Sequence, residues 1–357
     1  MSRIQLYSQS DIDQIDWPQS EESTQAQQLP LLLLQEGVDR LITNVKTDYY
    51  FLKIDAYILP ITVNHTEYQN AYLTSNYYAV KQLREKANRL LKPWIGLYAL
   101  IMKGIKVNQS VIVNNWLLSN SLYPDLSIEQ LELITTFLQE KFPHHLIMMR
   151  SINVADGKTL LQKLKQIHYH TFFSRQIFYF DPKTKPGKKA AYHRRRDERL
   201  MENEGYTLGK STNYEGLIEL FNRIYKDKHT IYCPHYTPLY LKYAVESKFL
   251  TVKVLQKEGK DVGVFGYTIR NGVMIVPFFG YDPASPTHRD VYRLLTMLVI
   301  KEAKTLNVAL NDGSGGDQTK IFRGMQPVDE YAAIYTKHLP LGRKLFWKMA
   351  DRFSKSF

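Results

Sequence analysis

The sequence predicts a mixed α/β protein built from two tandem units, and three observations carry that expectation. Strand-like and helix-like segments alternate through both halves of the chain. Residues 181–189 (DPKTKPGKK) combine two prolines, one glycine and four lysines, as an exposed connection between units does. In the second half, residues 250–255, 262–270 and 273–279 read as three strands in quick succession. They are joined by Lys257-Glu258-Gly259-Lys260 and by Asn271-Gly272, the pair that supplies the two positive φ angles of a tight hairpin turn. A length of 357 residues fits two domains better than one.

Taken in order, residues 1–39 are rich in Gln, Ser and acids with little periodicity, so they read as an acidic flexible leader. Residues 40–183 form the first unit. Within it, 56–63 reads as a strand, 76–91 as a helix, 94–102 as an apolar strand and 107–113 as another strand. Ser127 and Gln130 form a capping box that opens a helix whose buried stripe is Ile128, Leu131, Ile134 and Leu138. Residues 145–150 and 176–180 are the next strands, with a helix near 159–166 between them.

The second unit, 184–340, starts with a highly charged helix at 190–204 and a short strand at 206–210. Thr212 and Glu215 then read as a second capping box before a helix with Leu217, Ile218, Phe221, Ile224 and Tyr225 on its inner face. After a Tyr- and His-rich loop comes the meander, then a helix with Val291, Leu294, Leu295 and Leu298 at i, i+3, i+4 and i+7. A strand at 306–311, a Gly-rich turn into a short helix, and a strand at 331–336 complete the unit. Residues 341–357 read as a basic amphipathic tail, suited to capping the domain or to contact with an anionic surface.

Composition excludes several classes. With 44% hydrophobic and 23% charged residues the chain is neither disordered nor fibrous. One cysteine, Cys233, supplies neither an internal disulfide nor a thiolate zinc cluster, so a reducing, cytoplasmic setting without a metal is expected. No apolar run approaches the roughly 18 to 20 residues of a membrane span. The net charge is +12, yet residues 1–39 hold seven acids against Arg3 alone, so the body is more basic still. That field favours anionic partners: nucleic acid, phosphorylated cofactors, acidic carrier proteins or anionic lipid.

Two stretches narrow the reading. AYHRRRDERLMENEGYTL, at the start of the second half, and LNDGSGGDQTKIFRGMQPVDEYAAIY, at its end, resemble the GNAT acyltransferase superfamily. Within it they are similar to the branch of Fem-type peptidyltransferases and their acetyltransferase-like relatives, which carry two GNAT-like units. The resemblance covers residues 184–340, and it implies N-acyl transfer from a thioester donor, acyl-CoA or an acyl carrier protein, to an amine acceptor. An aminoacyl-tRNA donor is the alternative, and a non-catalytic polyanion-binding protein of the same fold is a third reading.

The resemblance also implies a splayed gap between the fourth and fifth strands, flanked by residues 278–281 and 310–314. Tyr281 and Asp312 are then the acid and base candidates, with Ser314 as a helper. Phe279, Gly280, Arg289, Arg293, Ser314, Gly315, Lys320 and Arg323 are the donor-binding candidates. One departure bears on coenzyme A. The loop from Gly280 to Asp290 (GYDPASPTHRD) lacks the glycine pattern with which such enzymes grip a pyrophosphate. The loop at 226–236 gathers His229, Tyr232, His235 and Tyr236, so the two histidines are base candidates and the two tyrosines acceptor-binding candidates.

Overall fold

The computed structural model describes residues 4–226 and 230–354, which divide into two compact units. Unit 1 takes Met1–Ser174, Tyr232–His235 and Tyr331–Phe357, and unit 2 takes Arg175–Ile231 and Tyr236–Glu330. The units are therefore not successive blocks. The chain changes unit inside two strands and on either side of Tyr232–His235, and the end of the last strand and the tail helix belong to unit 1.

In unit 1 the strands are β1 (Ile4–Tyr7), β2 (Asp48–Ile54), β3 (Tyr57–Asn64), β4 (Ser110–Val113), β5 (Leu146–Asn153) and the start of β6 (His170–Phe180). β1 to β4 pair antiparallel in succession, whereas β4 and β5 are parallel, with Ser110 opposite Leu146. Its helices are α1 (Glu21–Ala26), α2 (Leu29–Glu36), α3 (Val38–Leu41), α4 (Tyr78–Lys86), α5 (Lys92–Gly104), α6 (Ile128–Lys141) and α7 (Lys158–Gln166). Because side chains alternate along a strand, Val111, Val113, Ile147 and Met149 meet the inner faces of α6 and α7 on one side of the sheet. Ile112, Leu146 and Met148 meet α4 and α5 on the other.

Unit 2 holds the end of β6, then α8 (Lys188–Asn203), β7 (Tyr206–Gly209), α9 (Tyr214–Ile224), α10 (Pro238–Glu246), β8 (Thr251–Lys257), β9 (Lys260–Arg270) and β10 (Val273–Tyr281). It continues through α11 (His288–Thr305), β11 (Ala309–Asn311), α12 (Asp317–Phe322) and the start of β12 (Gln326–Tyr335), and α13 (Leu341–Ser354) then returns to unit 1. The meander forms as expected, with Asn271 at φ 50° and Gly272 at φ 70° turning its second hairpin. Val291, Leu294, Leu295 and Leu298 of α11 pack on Phe265, Met274 and Leu255. On the opposite face Phe221 of α9 stacks on Phe278 of β10 at 4.9 Å.

The two units repeat one order. Three antiparallel strands, a helix, a parallel strand, a helix and a final strand appear as β2-β3-β4-α6-β5-α7-β6, with α4 and α5 inserted between β3 and β4, and again as β8-β9-β10-α11-β11-α12-β12. That repetition is the two-unit α/β organisation that the sequence predicts.

Several expectations are corrected. The acidic leader is folded: β1 pairs with β2, and Ala26, Leu29, Leu33 and Val38 are buried. Residues 92–104 form a helix rather than a strand, because Pro93 sits in its first turn and Ile95, Ala99 and Met102 recur on its inner side at helical spacing. Asn213, not Thr212, caps α9, accepting from the Gly216 N–H at 3.0 Å. The chain leaves unit 1 at Ser174, ahead of the Pro- and Lys-rich stretch. Ser127 and Gln130 do form the anticipated capping box on α6.

Candidate functional site

The site is built where β10 and β11 part. They pair in parallel over only three steps, ending at Ile275 opposite Asn311. β10 then shifts register against β9 between Ile275 and Phe278 and runs on to Tyr281. After Asn311 the other chain stays with β6: the Asp312 N–H donates to the Phe178 carbonyl at 2.9 Å, and the Phe178 N–H donates to the Gly313 carbonyl at 3.0 Å. Pairing between the two segments therefore ends at Ile275 and Asn311, and the break in the ladder between 276–281 and 312–314 is the candidate wedge. A ligand backbone entering it would complete the ladder that the strands abandon.

Asp312 stands at the mouth of this wedge with its side chain 8% exposed, and Lys320 Nζ lies 3.2 Å from its Oδ2. Burial raises the Asp312 carboxyl above the ordinary carboxylate range, while the Lys320 cation pulls against that rise. Lys320 also donates to the carbonyl oxygens of Asp312 at 2.6 Å and Gly313 at 3.4 Å. Its role is to brace the turn.

From α11 comes Tyr292, which sequence reasoning missed. Burial, then the Asp312 charge, then Tyr281 raise its phenol well above the ordinary value, so it is a neutral donor at neutral pH. Its ring lies 5.7 Å from Tyr281 and 6.0 Å from Phe279, centroid to centroid. Burial raises the Tyr281 phenol as well. Phe279, Tyr281 and Tyr292 thus form one aromatic group, of which Tyr292 feels the Asp312 charge. The missed signal lay in the helix phase: Tyr292 follows the buried Val291 and lies four residues before Thr296, which bonds its carbonyl.

The other donor-side candidates have different surroundings. Gly280 is a packing glycine: a Cβ there would lie 2.6 Å from the Phe221 nitrogen and 2.7 Å from the Leu220 carbonyl carbon. Arg293 and Arg323 both close on Asp197 of α8, which is fully buried. Arg293 reaches its Oδ1 at 2.8 Å and Arg323 Nη2 its Oδ2 at 2.5 Å. With Arg323 only 2% exposed, its guanidinium serves the protein rather than a solvent-borne phosphate. Arg289, Ser314 and Gly315 are exposed, Arg289 at the start of α11 and the other two on the turn before α12.

The acceptor-loop candidates are divided between the units. His229 lies outside the described residues. Tyr232 and His235 belong to unit 1 and Tyr236 to unit 2. Tyr232 donates from its hydroxyl to Glu85 at 2.8 Å, with its phenol pushed up to about 12 by burial and that carboxylate. The His235 N–H donates to Asn44 Oδ1 at 2.8 Å, and its carbonyl accepts from Thr43. Tyr236 is buried, stacked on Tyr240 at 4.2 Å.

No protein-family model and no curated protein sequence matches this chain. Solved structures do. A conserved protein of unknown function from Bacteroides thetaiotaomicron is similar over 94% of this chain and 100% of that one, at 14% identity and TM-score 0.51. L-PGS from Bacillus licheniformis is 18% identical, with a TM-score of 0.47 over 68% of this chain and 82% of that one. A tandem GNAT protein from the clavulanic acid biosynthesis pathway is 8% identical, with a TM-score of 0.43 over 95% and 99%. The likeness is one of fold.

Proposed function

We propose that the protein is an N-acyltransferase that moves an acyl group from a thioester donor to an amine, with the wedge between β10 and β11 as its reaction centre. The observation that carries this reading is the Asp312 carboxylate, buried and raised, beside that wedge and two neutral phenols. In the reaction the amine nitrogen attacks the thioester carbonyl carbon, a C–N bond forms, the C–S bond breaks and one proton passes from nitrogen to the departing sulfur. Asp312 is the base: a carboxylate made more basic by burial accepts that proton better at neutral pH. Tyr281, a neutral O–H donor, is the acid for the leaving thiolate, and Tyr292 holds the Asp312 charge in place. Ser314 and Gly315 offer a hydroxyl and backbone N–H groups to the donor.

A second reading, an aminoacyl-tRNA donor, is favoured by two specific observations. Arg293 and Arg323 are committed to Asp197, and the 280–290 turn lacks the glycines that would cradle a pyrophosphate. The experiment that separates the two is thermal stabilisation by acetyl-CoA, longer acyl-CoAs and bulk tRNA at two salt concentrations. Stabilisation by an acyl-CoA that survives the higher salt supports the thioester enzyme. Stabilisation by tRNA alone supports the second reading if it persists in salt, and simple polyanion binding if salt erases it.

A further inference from the structure

α5 has two apolar sides. Ile95, Ala99 and Met102 face the core, but Trp94, Leu97, Tyr98 and Ile101 form a second stripe at i, i+3, i+4 and i+7 that points outward, exposed by 71%, 53%, 42% and 45%. Leu90, in the turn before the helix, is 83% exposed. α13 packs on the same side of the unit 1 sheet through Trp347, and it too turns an apolar stripe outward: Leu341, Leu345 and Met349, exposed by 75%, 55% and 53%. Isolated exposed leucines need no explanation, but two such stripes from one face of a unit do.

The charge around these stripes identifies the occupant. Arg84, Lys86, Arg89, Lys92, Lys103 and Lys106 are all exposed and bracket α5, and Lys344, Lys348 and Arg352 line the exposed side of α13. Against them stand Glu85, which accepts from Tyr232, and Asp351, which is paired with His170 at 3.2 Å. An apolar stripe with aromatic side chains and a cationic rim matches the boundary between acyl chains and anionic headgroups. Among the described residues no helix is long and apolar enough to cross a membrane, so the contact is with a surface. We propose that unit 1 docks on an anionic lipid bilayer through the outer faces of α5 and α13. This inference is independent of the acyl-transfer reading.

The test is co-sedimentation of the full chain with phosphatidylcholine vesicles, with and without about one-third phosphatidylglycerol. Intrinsic fluorescence is read in parallel. Trp116 and Trp347 are buried and Trp17 is packed on Phe51, so Trp94 is the tryptophan whose emission the lipid changes. Binding to the anionic vesicles is expected with a blue shift that disappears in Trp94→Phe. The variant Leu97→Ser/Tyr98→Ser/Ile101→Ser lowers partition by at least about tenfold, and it keeps a single cooperative melting transition because the altered side chains are partly exposed and lie outside the buried face of α5. Arg89→Gln/Lys92→Gln lowers binding to the anionic vesicles. Failure of the wild type to sediment with anionic vesicles overturns the proposal, as does undiminished binding by the triple-serine variant. Conversion of a wild-type dimer to a monomer by that variant, without a change in vesicle binding, also overturns it and makes the face a contact between copies.

Discussion

Lys320 Nζ sits 3.2 Å from the Asp312 carboxylate and 2.6 Å from the carbonyl oxygen of the same residue, so one buried cation neutralises the side chain and fixes the turn that presents it. Charge and shape at this point are thus set by a single contact. Lys320→Met removes the influence that holds the Asp312 carboxyl down, leaving burial to raise it further. The acidic limb of the kcat/KM profile therefore moves to higher pH. An unmoved limb in an active, folded variant counts against Asp312 as the base. Asp312→Asn removes the base outright and should lower kcat by about 10² to 10⁴.

Two neighbouring glycines separate backbone strain from site geometry. Gly315 and Gly316 both have positive φ, at 82° and 72°, but a Cβ on Gly315 meets nothing within 4 Å, whereas one on Gly316 would fall 1.6 Å from the Tyr292 hydroxyl oxygen. Gly315→Ala should cost roughly 1 to 2 kcal/mol from conformation alone. Gly316→Ala adds displacement of the Tyr292 phenol. Its activity should fall more steeply than its stability, which comparison of melting curves with turnover checks.

Asp197 is fully buried between Arg293 and Arg323. Asp197→Asn leaves two guanidinium groups without their shared anion, and a loss on the order of 3 to 5 kcal/mol is expected. Urea unfolding measures it. A loss below about 1 kcal/mol, the usual value for exposed pairs, would show that solvent reaches the triad.

Unit 1 carries a histidine that makes stability depend on pH. His145 is 8% exposed, with its Nε2 3.2 Å from His65 Nδ1. Burial, then His65, then Arg343 and His144 lower it from 6.5 to about 4, against a smaller opposing pull from Asp48. Since the folded pKa lies below the unfolded one, the contribution is present above pH 6.5 and is lost as pH falls toward 4. Its size is roughly 3 kcal/mol. His145→Gln should flatten this part of the stability curve, and an unchanged slope would contradict the assignment.

The parts of the fold legible in the sequence were those set by near neighbours. Asn271-Gly272 announces its hairpin because only residues tolerant of positive φ fit both positions, and Ser127 with Gln130 announces α6 because the cap is completed within four residues. α5 was misread because an outward apolar stripe beside an inward one removes the polar face that marks a helix. β1 escaped notice because its partner β2 lies more than forty residues on, with Ile4 opposite Ile54. Around the candidate site, the positions of Tyr281 at the end of β10 and of Asp312 just after β11 were legible from the predicted strands. The commitment of Arg293 and Arg323 to Asp197 was not, since that contact joins α8, α11 and α12 across about a hundred residues or more.

The central claim is that an acyl donor enters between β10 and β11. Hydrogen exchange of the protein with and without the acyl-CoA that stabilises it best tests this directly. Protection concentrated in residues 276–281 and 312–316 is the predicted result, because a donor there supplies partners for backbone groups beyond the last β10–β11 pair. Stabilisation without protection of either segment would contradict it.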